Sequence, residues 1–125
     1  VQQLNLQEGN NVIVIKAVND CGVDSETITI NYQPCVMPTI SMVNPTNQNT
    51  TSASATFALQ TTIQNVTSTS NVTVTVNGST QAGGSFNTTS GLYRQTIKLV
   101  SGANTVQITA SNDCGTVTET VVIVF

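Results

Sequence analysis

Apolar and polar residues alternate without a break from Asn71 to Asn77, with Val72, Val74 and Val76 set against Thr73, Thr75 and Asn77. A period of two places one face of a strand in a core and the other in water. The same period predicts a strand over Asn104–Ser111 with Val106, Ile108 and Ala110 inward. It predicts another over Thr116–Phe125 with Val121, Ile123 and Phe125 inward. Further strands are expected over Pro38–Val43, Ala53–Ile63 and Leu92–Val100, with a short one ending near Ala82 and an element anchored by Phe86. Ahead of these, strands are expected over Val1–Leu6, Asn11–Val18 and Val23–Tyr32. Turn chemistry separates them: Gln7–Asn10, Asn44-Pro45, Asn77-Gly78, Gly83-Gly84 and Ser101-Gly102. Asn77-Gly78 is a strong two-residue hairpin signal, because both residues tolerate positive φ. Thr46–Ser52 and Thr67–Ser70 read as polar loops. About seven strands in the later part of the chain, with no helical stretch, argue for an all-β sandwich with Greek-key connections.

The pattern also occurs twice. When residues 1–32 are laid on 94–125, thirteen of 32 pairs are identical, with no gap. They include Gly9/Gly102, Asn11/Asn104, Ile15/Ile108, Ala17/Ala110 and the run Asn19-Asp20-Cys21-Gly22 on Asn112-Asp113-Cys114-Gly115. Self-similarity at a fixed offset marks a repeat architecture. An offset of 93 residues is too long for a solenoid unit and suits a whole sandwich domain of about 100 residues. The expected organisation is a complete module over 33–125, preceded in 1–32 by the last three strands of another module. On that reading the chain starts in mid-domain. Gln33-Pro34-Cys35 is the linker between the two, and residues 1–32 need partner strands from elsewhere.

Charge is sparse: three basic residues (Lys16, Arg94, Lys98) and six acidic ones (Glu8, Asp20, Asp24, Glu26, Asp113, Glu119) in 125. There is no basic patch for nucleic acid and no apolar run long enough to span a membrane. Histidine and tryptophan are absent, which removes the commonest general base and metal ligand. In the complete module the only carboxylates are Asp113 and Glu119, so no nucleophile–base pair can be assembled. No enzymatic activity and no cofactor are expected.

Val74-Thr75-Val76-Asn77-Gly78, then Gly84-Ser85-Phe86, then Leu99-x-x-Gly102-x-Asn104-x-Val106-x-Ile108-x-Ala110-x-Asn112-x-x-Gly115 resemble the bacterial immunoglobulin-like modules. Such modules occur in surface adhesins and as accessory domains of carbohydrate-active enzymes. The Asn-Asp-Cys-Gly turn and the Thr/Asn-rich, Lys-poor composition are most similar to tandem modules of giant Bacteroidota surface adhesins. The resemblance implies an immunoglobulin-like sandwich in tandem repeat. It carries over no binding residue, since the matching positions are those of turns and core.

In such a sandwich the N-terminal end of the module lies beside the loop joining its last two strands. The resemblance therefore implies a Cys35–Cys114 disulfide, with Cys21, the counterpart of Cys114, pairing with a residue upstream. Cys21–Cys35 pairing and free thiols are the alternatives. A disulfide would place the protein in an oxidising, extracellular or cell-surface setting.

Other candidate chemistry is weaker. Asp20, Asp24 and Glu26 cluster around one hairpin, but Asp24 aligns with Val117, so the cluster is no repeated calcium device. Lys98, the lone lysine of the complete module, aligns with Asn5 and so marks no repeated isopeptide position. Asn-x-Ser/Thr sequons stand at Asn49, Asn65, Asn71, Asn77 and Asn87, with Asn77 better explained by its turn. The apolar strand Val121–Phe125 would be a sticky edge unless the sandwich covers it or another subunit adds a strand to it. The composite expectation is a stalk segment of a large exported repeat protein, partnered by neighbouring modules of its own chain. The alternatives are an accessory carbohydrate-binding module, or a filament subunit that assembles with identical chains by strand complementation. The first would use exposed aromatics, for which the module offers Phe57, Phe86, Tyr93 and Phe125. The ligand, if there is one, is not named by the sequence.

Overall fold

The computed structural model describes residues 1–125. They form two compact units, Val1–Cys35 and Val36–Phe125.

The first unit is one long antiparallel hairpin, β1 (Gly9–Asn19) and β2 (Gly22–Tyr32), in continuous register from Gly9↔Tyr32 to Asn19↔Gly22. Residues 1–6 are not a strand, contrary to the alternation of Leu4 and Leu6. A strand exists only within a ladder, and no second strand lies beside this segment. The corresponding residues of the second unit are extended because they have neighbours on both sides.

The second unit contains β3 (Thr39–Asn44), β4 (Asn49–Thr51), β5 (Thr56–Gln64), β6 (Val72–Val76), β7 (Ser79–Gln81), β8 (Ser85–Asn87), β9 (Leu92–Lys98), β10 (Ala103–Asn112) and β11 (Gly115–Val124). A single 3-10 turn, Thr69–Asn71, leads into β6. One sheet has the order β3-β5-β9-β8 and the other β4-β11-β10-β6-β7. In immunoglobulin lettering these are the A-B-E-D sheet and the G-F-C sheet, with β7 added beside C. The chain crosses between sheets after β3, β4, β5, β7 and β9, which makes the connections Greek-key. The unit is an immunoglobulin-like β-sandwich.

Three details depart from the sequence expectation. The strand count is nine rather than about seven, because the three-residue strands β4 and β8 fall in a stretch expected as a loop and in the element anchored by Phe86. Residues 46–52, expected as a loop, contain β4, which pairs parallel to β11 with Ile123 opposite Thr50. A register shift between Met42 and Asn44, with Asn44 still opposite Gln60, falls at the end of the pairing of β3 with β5, and a bulge of this kind turns a strand aside. The chain then reaches the other sheet. Phe125, expected inside, is 40% exposed: it lies one residue beyond β11, where its backbone closes on Gly102 (2.8 and 3.0 Å).

The core is built by the inward-facing residues of both sheets. Val74, Val106, Ile108, Ala110, Val121 and Ile123 come from one, and Leu59, Ile63 and Ile97 from the other, each 1% exposed or less. Burial of each large aliphatic side chain stabilises the fold by about 2 kcal/mol. Phe57, Phe86, Ile40 and Met42 pack around this centre. Tyr93 and Gln95 share the inner face of β9, where the Tyr93 hydroxyl donates to Gln95 Oε1 (2.6 Å) and Gln95 Nε2 donates to the Ala82 carbonyl (3.0 Å).

Candidate functional site

Chemistry-bearing side chains gather at the two ends of the sandwich. At one end Asn112 closes the β10–β11 turn. Its Oδ1 accepts the N–H groups of Cys114 (2.8 Å) and Gly115 (3.2 Å). Its Nδ2 donates to the carbonyls of Val36 (2.8 Å) and Asn65 (2.9 Å). Asn65, in the left-handed region at φ 61, donates from its own Nδ2 to the Met37 carbonyl (3.0 Å). The stretch entering the module, the β5–β6 loop and the last hairpin are thus joined through two amides. Cys35 and Cys114 are disulfide-bonded, and Cys21 is a free, exposed thiol. Gly115 has φ 151 and packs against Met37, where a Cβ would press on the methionine methyl. An open depression of ≈ 270 Å³ beside this turn is lined by polar groups, among them Asn65, Thr67, Asn71 and Asp113.

At the other end the centre is Asn104, which is fully buried. Its Oδ1 accepts the Val100 N–H (2.9 Å). Its Nδ2 donates to the carbonyls of Val100 (2.8 Å), Gly102 (2.9 Å) and Ile123 (3.2 Å). Asn77 Nδ2 also reaches Asn104 Oδ1 (3.2 Å), and Asn77 Oδ1 accepts the Thr105 N–H (2.9 Å). Asn77 and Gly78 have φ 50 and φ 81, as a type I′ turn requires. The β6–β7 hairpin is therefore tied to the turn before β10. The sequon at Asn77 serves this structural tie.

Both arrangements recur in the first unit at the same offset. Asn11 Oδ1 accepts the Gln7 N–H (2.8 Å), and Asn11 Nδ2 donates to Gln7 (2.7 Å), Gly9 (2.9 Å) and Ile30 (3.3 Å). Asn19 Oδ1 accepts the N–H groups of Cys21 (2.9 Å) and Gly22 (3.1 Å). Gly9 has φ 93 against 94 at Gly102, and Gly22 has 155 against 151 at Gly115. The two hairpins differ in burial. Ile15, Ile28 and Ile30 are 56%, 44% and 40% exposed, while Ile108, Val121 and Ile123 are closed off.

The remaining candidates do not converge. No three His, Cys, Asp or Glu side chains come together to hold a metal ion, so Asp20, Asp24 and Glu26 form no such site. Cys114 is consumed by its disulfide and offers no nucleophile. Glu119 accepts from Gln48 Nε2 (3.3 Å). Lys98 is exposed. Of the aromatics, Tyr93 is 3% exposed, and Phe57 and Phe86 pack on the core, leaving Phe125 outside. Among the sequons, Asn49, Asn65, Asn77 and Asn87 are exposed and Asn71 is half-buried. Asn87 Oδ1 accepts the N–H groups of Thr89 and Ser90 (both 3.0 Å). Sequence reasoning missed the buried polar residues Gln95, Thr61 and Asn104. For Asn104 and Gln95 a signal existed, since each belongs to an identical pair of the repeat (Asn11/Asn104, Gln2/Gln95). No helix is long and apolar enough to cross a membrane.

The class these features define is a disulfide-tied immunoglobulin-like sandwich carrying a second copy of its own last hairpin. No family model matches the chain, and no curated protein does. Among solved structures it is similar to one described as titin Ig tandem domains A164-A165, at 18% identity and a TM-score of 0.49. That match covers 91% of this chain and 60% of the other, so the present chain spans less than two thirds of it.

Proposed function

We propose that the chain is a structural segment of a surface protein, a stalk or fibre of stacked immunoglobulin-like modules that carries a binding region away from the cell. The observation that carries this reading is the exact-offset recurrence of one hairpin, in sequence, in its asparagine clamps and in its glycine geometry. A unit repeated at constant length is what a spacer needs, and nothing in the module's own chemistry calls for a substrate. The Cys35–Cys114 disulfide supports an oxidising setting outside the cytosol. In the tandem reading, residues 1–32 are the last part of a preceding module, its neighbours are modules of the same chain, and resemblance to adhesin modules supplies the adhesive role. Glycan attachment at Asn49, Asn65 or Asn87, all exposed, is compatible with this surface role. The carbohydrate-binding alternative is disfavoured by the shortage of exposed aromatic side chains in the complete module, since sugar platforms present them.

Sequencing the reading frame outward on both sides of this segment tests the proposal. Further copies of the hairpin signature at the same 93-residue spacing are expected. A catalytic domain joined directly to this module would instead make it an accessory domain.

A further inference from the structure

The β1–β2 hairpin has the side chains of a sandwich interior but stands as a two-stranded sheet with no further strand beside it. Ile13, Ile15, Ala17, Ile28 and Ile30 share one face by their register. Their counterparts Val106, Ile108, Ala110, Val121 and Ile123 are buried to 1% or less. The edge of β1 away from β2 is also unpaired, whereas the same edge of β10 carries β6, from Val106↔Val76 to Ala110↔Val72. Asn19 Oδ1 closes its turn as Asn112 does, but the Asn112 amide has two further carbonyl partners, at Val36 and Asn65. Cys21 is a thiol where Cys114 is a disulfide.

From these four correspondences we infer that the hairpin is a preformed docking surface for one occupant: a stretch of chain of the kind seen over Gln33–Tyr93, joined directly ahead of Val1. The occupant lays an alternating apolar strand antiparallel on β1, opposite Ile13–Ala17. It supplies backbone carbonyls to Asn19 Nδ2 and a cysteine ahead of its first strand to Cys21. The two thiols lose two electrons and two protons to an external thiol–disulfide oxidant such as oxidised glutathione, which is itself reduced. The opposite face of the hairpin stays outside. Val12, Val14, Val18 and Val23 are 65%, 50%, 73% and 67% exposed, and their counterparts in the complete module are Thr105, Gln107, Ser111 and Thr116. The inference rests on the tandem reading above and adds which face, which edge and which thiol the neighbouring chain engages.

The test uses the full chain with a second copy of Gln33–Tyr93 fused ahead of Val1, which restores the repeat in phase. Oxidised refolding with glutathione, hydrogen exchange and non-reducing peptide mapping are read on this chain and on the native one. Protection of the Ile13–Ala17 amides is expected to rise at least 100-fold over the native chain, in a monomer. A peptide joining Cys21 to the added cysteine is expected as well. Ile13→Asp should abolish both, while Val14→Asp on the outer face leaves both in place. A hairpin that still exchanges freely with a titratable Cys21 overturns the inference. So does equal sensitivity of the two faces, or protection confined to dimers, which would make a second copy the occupant. Residues 36–125 serve as the internal reference for folding in every variant. The stalk proposal is judged separately, by the shape of the same chain.

Discussion

Asn104 and Asn11 separate the value of a hydrogen-bond pattern from the value of its burial. Both clamp the same backbone groups at nearly the same distances, but Asn104 is buried and Asn11 is not. Leaving buried donors and acceptors without partners costs about 1–3 kcal/mol each, whereas water replaces exposed ones. Asn104→Ala is therefore expected to lower the unfolding free energy of the module by about 3 kcal/mol in urea titrations. Asn11→Ala should leave that transition where it is. Gly84 sits under the Tyr93 hydroxyl so closely that a Cβ would land on it. Gly84→Ala is expected to destabilise by about 1–3 kcal/mol through overpacking. Burial raises the Tyr93 hydroxyl above its ordinary pKa, so the folded state holds that proton more tightly than the unfolded chain does. The associated stability is complete below about pH 10, the ordinary tyrosine value, and is lost as pH rises through the folded pKa. Thermal melts of Tyr93→Phe between pH 8 and 11 should show a shallower alkaline decline than the parent. At this scale the sequence was legible where a residue had local work to do. Asn77-Gly78 announced its turn, and Val74, Val106 and Ile108 announced the core. Thr61 did not, because its partner, the Ser41 carbonyl, lies far along the chain and no local pattern points to it.

Among the elements, the last strand shows how an apolar edge is handled. Val121–Val124 would be open to any passing chain, yet β4 covers part of it, with Val122 N–H donating to the Gln48 carbonyl (2.7 Å) and Ser52 N–H to the Val124 carbonyl (2.8 Å). Ser52→Pro removes that second donor and is expected to promote concentration-dependent association, read by light scattering. The covering strand was invisible in the sequence because three polar residues, Asn49–Thr51, carry no alternation to detect. The opposite error befell residues 1–6, whose alternation is real but has no ladder to join. A strand is a relation between segments, and a single segment states only half of it. The disulfide is a relation of the same sort. It closes a loop of about 80 residues and stabilises the module by roughly 4 kcal/mol in the chain-entropy model. Reduction with dithiothreitol should lower the urea midpoint accordingly while leaving the native far-ultraviolet spectrum intact.

For the molecule as a whole, the repeat is the central fact. One hairpin occurs at both ends of the sequence with the same clamps, completed in one place and bare in the other. If that hairpin is the constant end of a spacer unit, completing it should add length. Strands of ten residues at about 3.3 Å each, with their turns, make a module about 40 Å long. Small-angle scattering of the chain carrying Gln33–Tyr93 ahead of Val1 should then give a maximum dimension near 80 Å, with the profile of a rod. A compact particle of about 55 Å, with the two sandwiches side by side, would contradict the stalk.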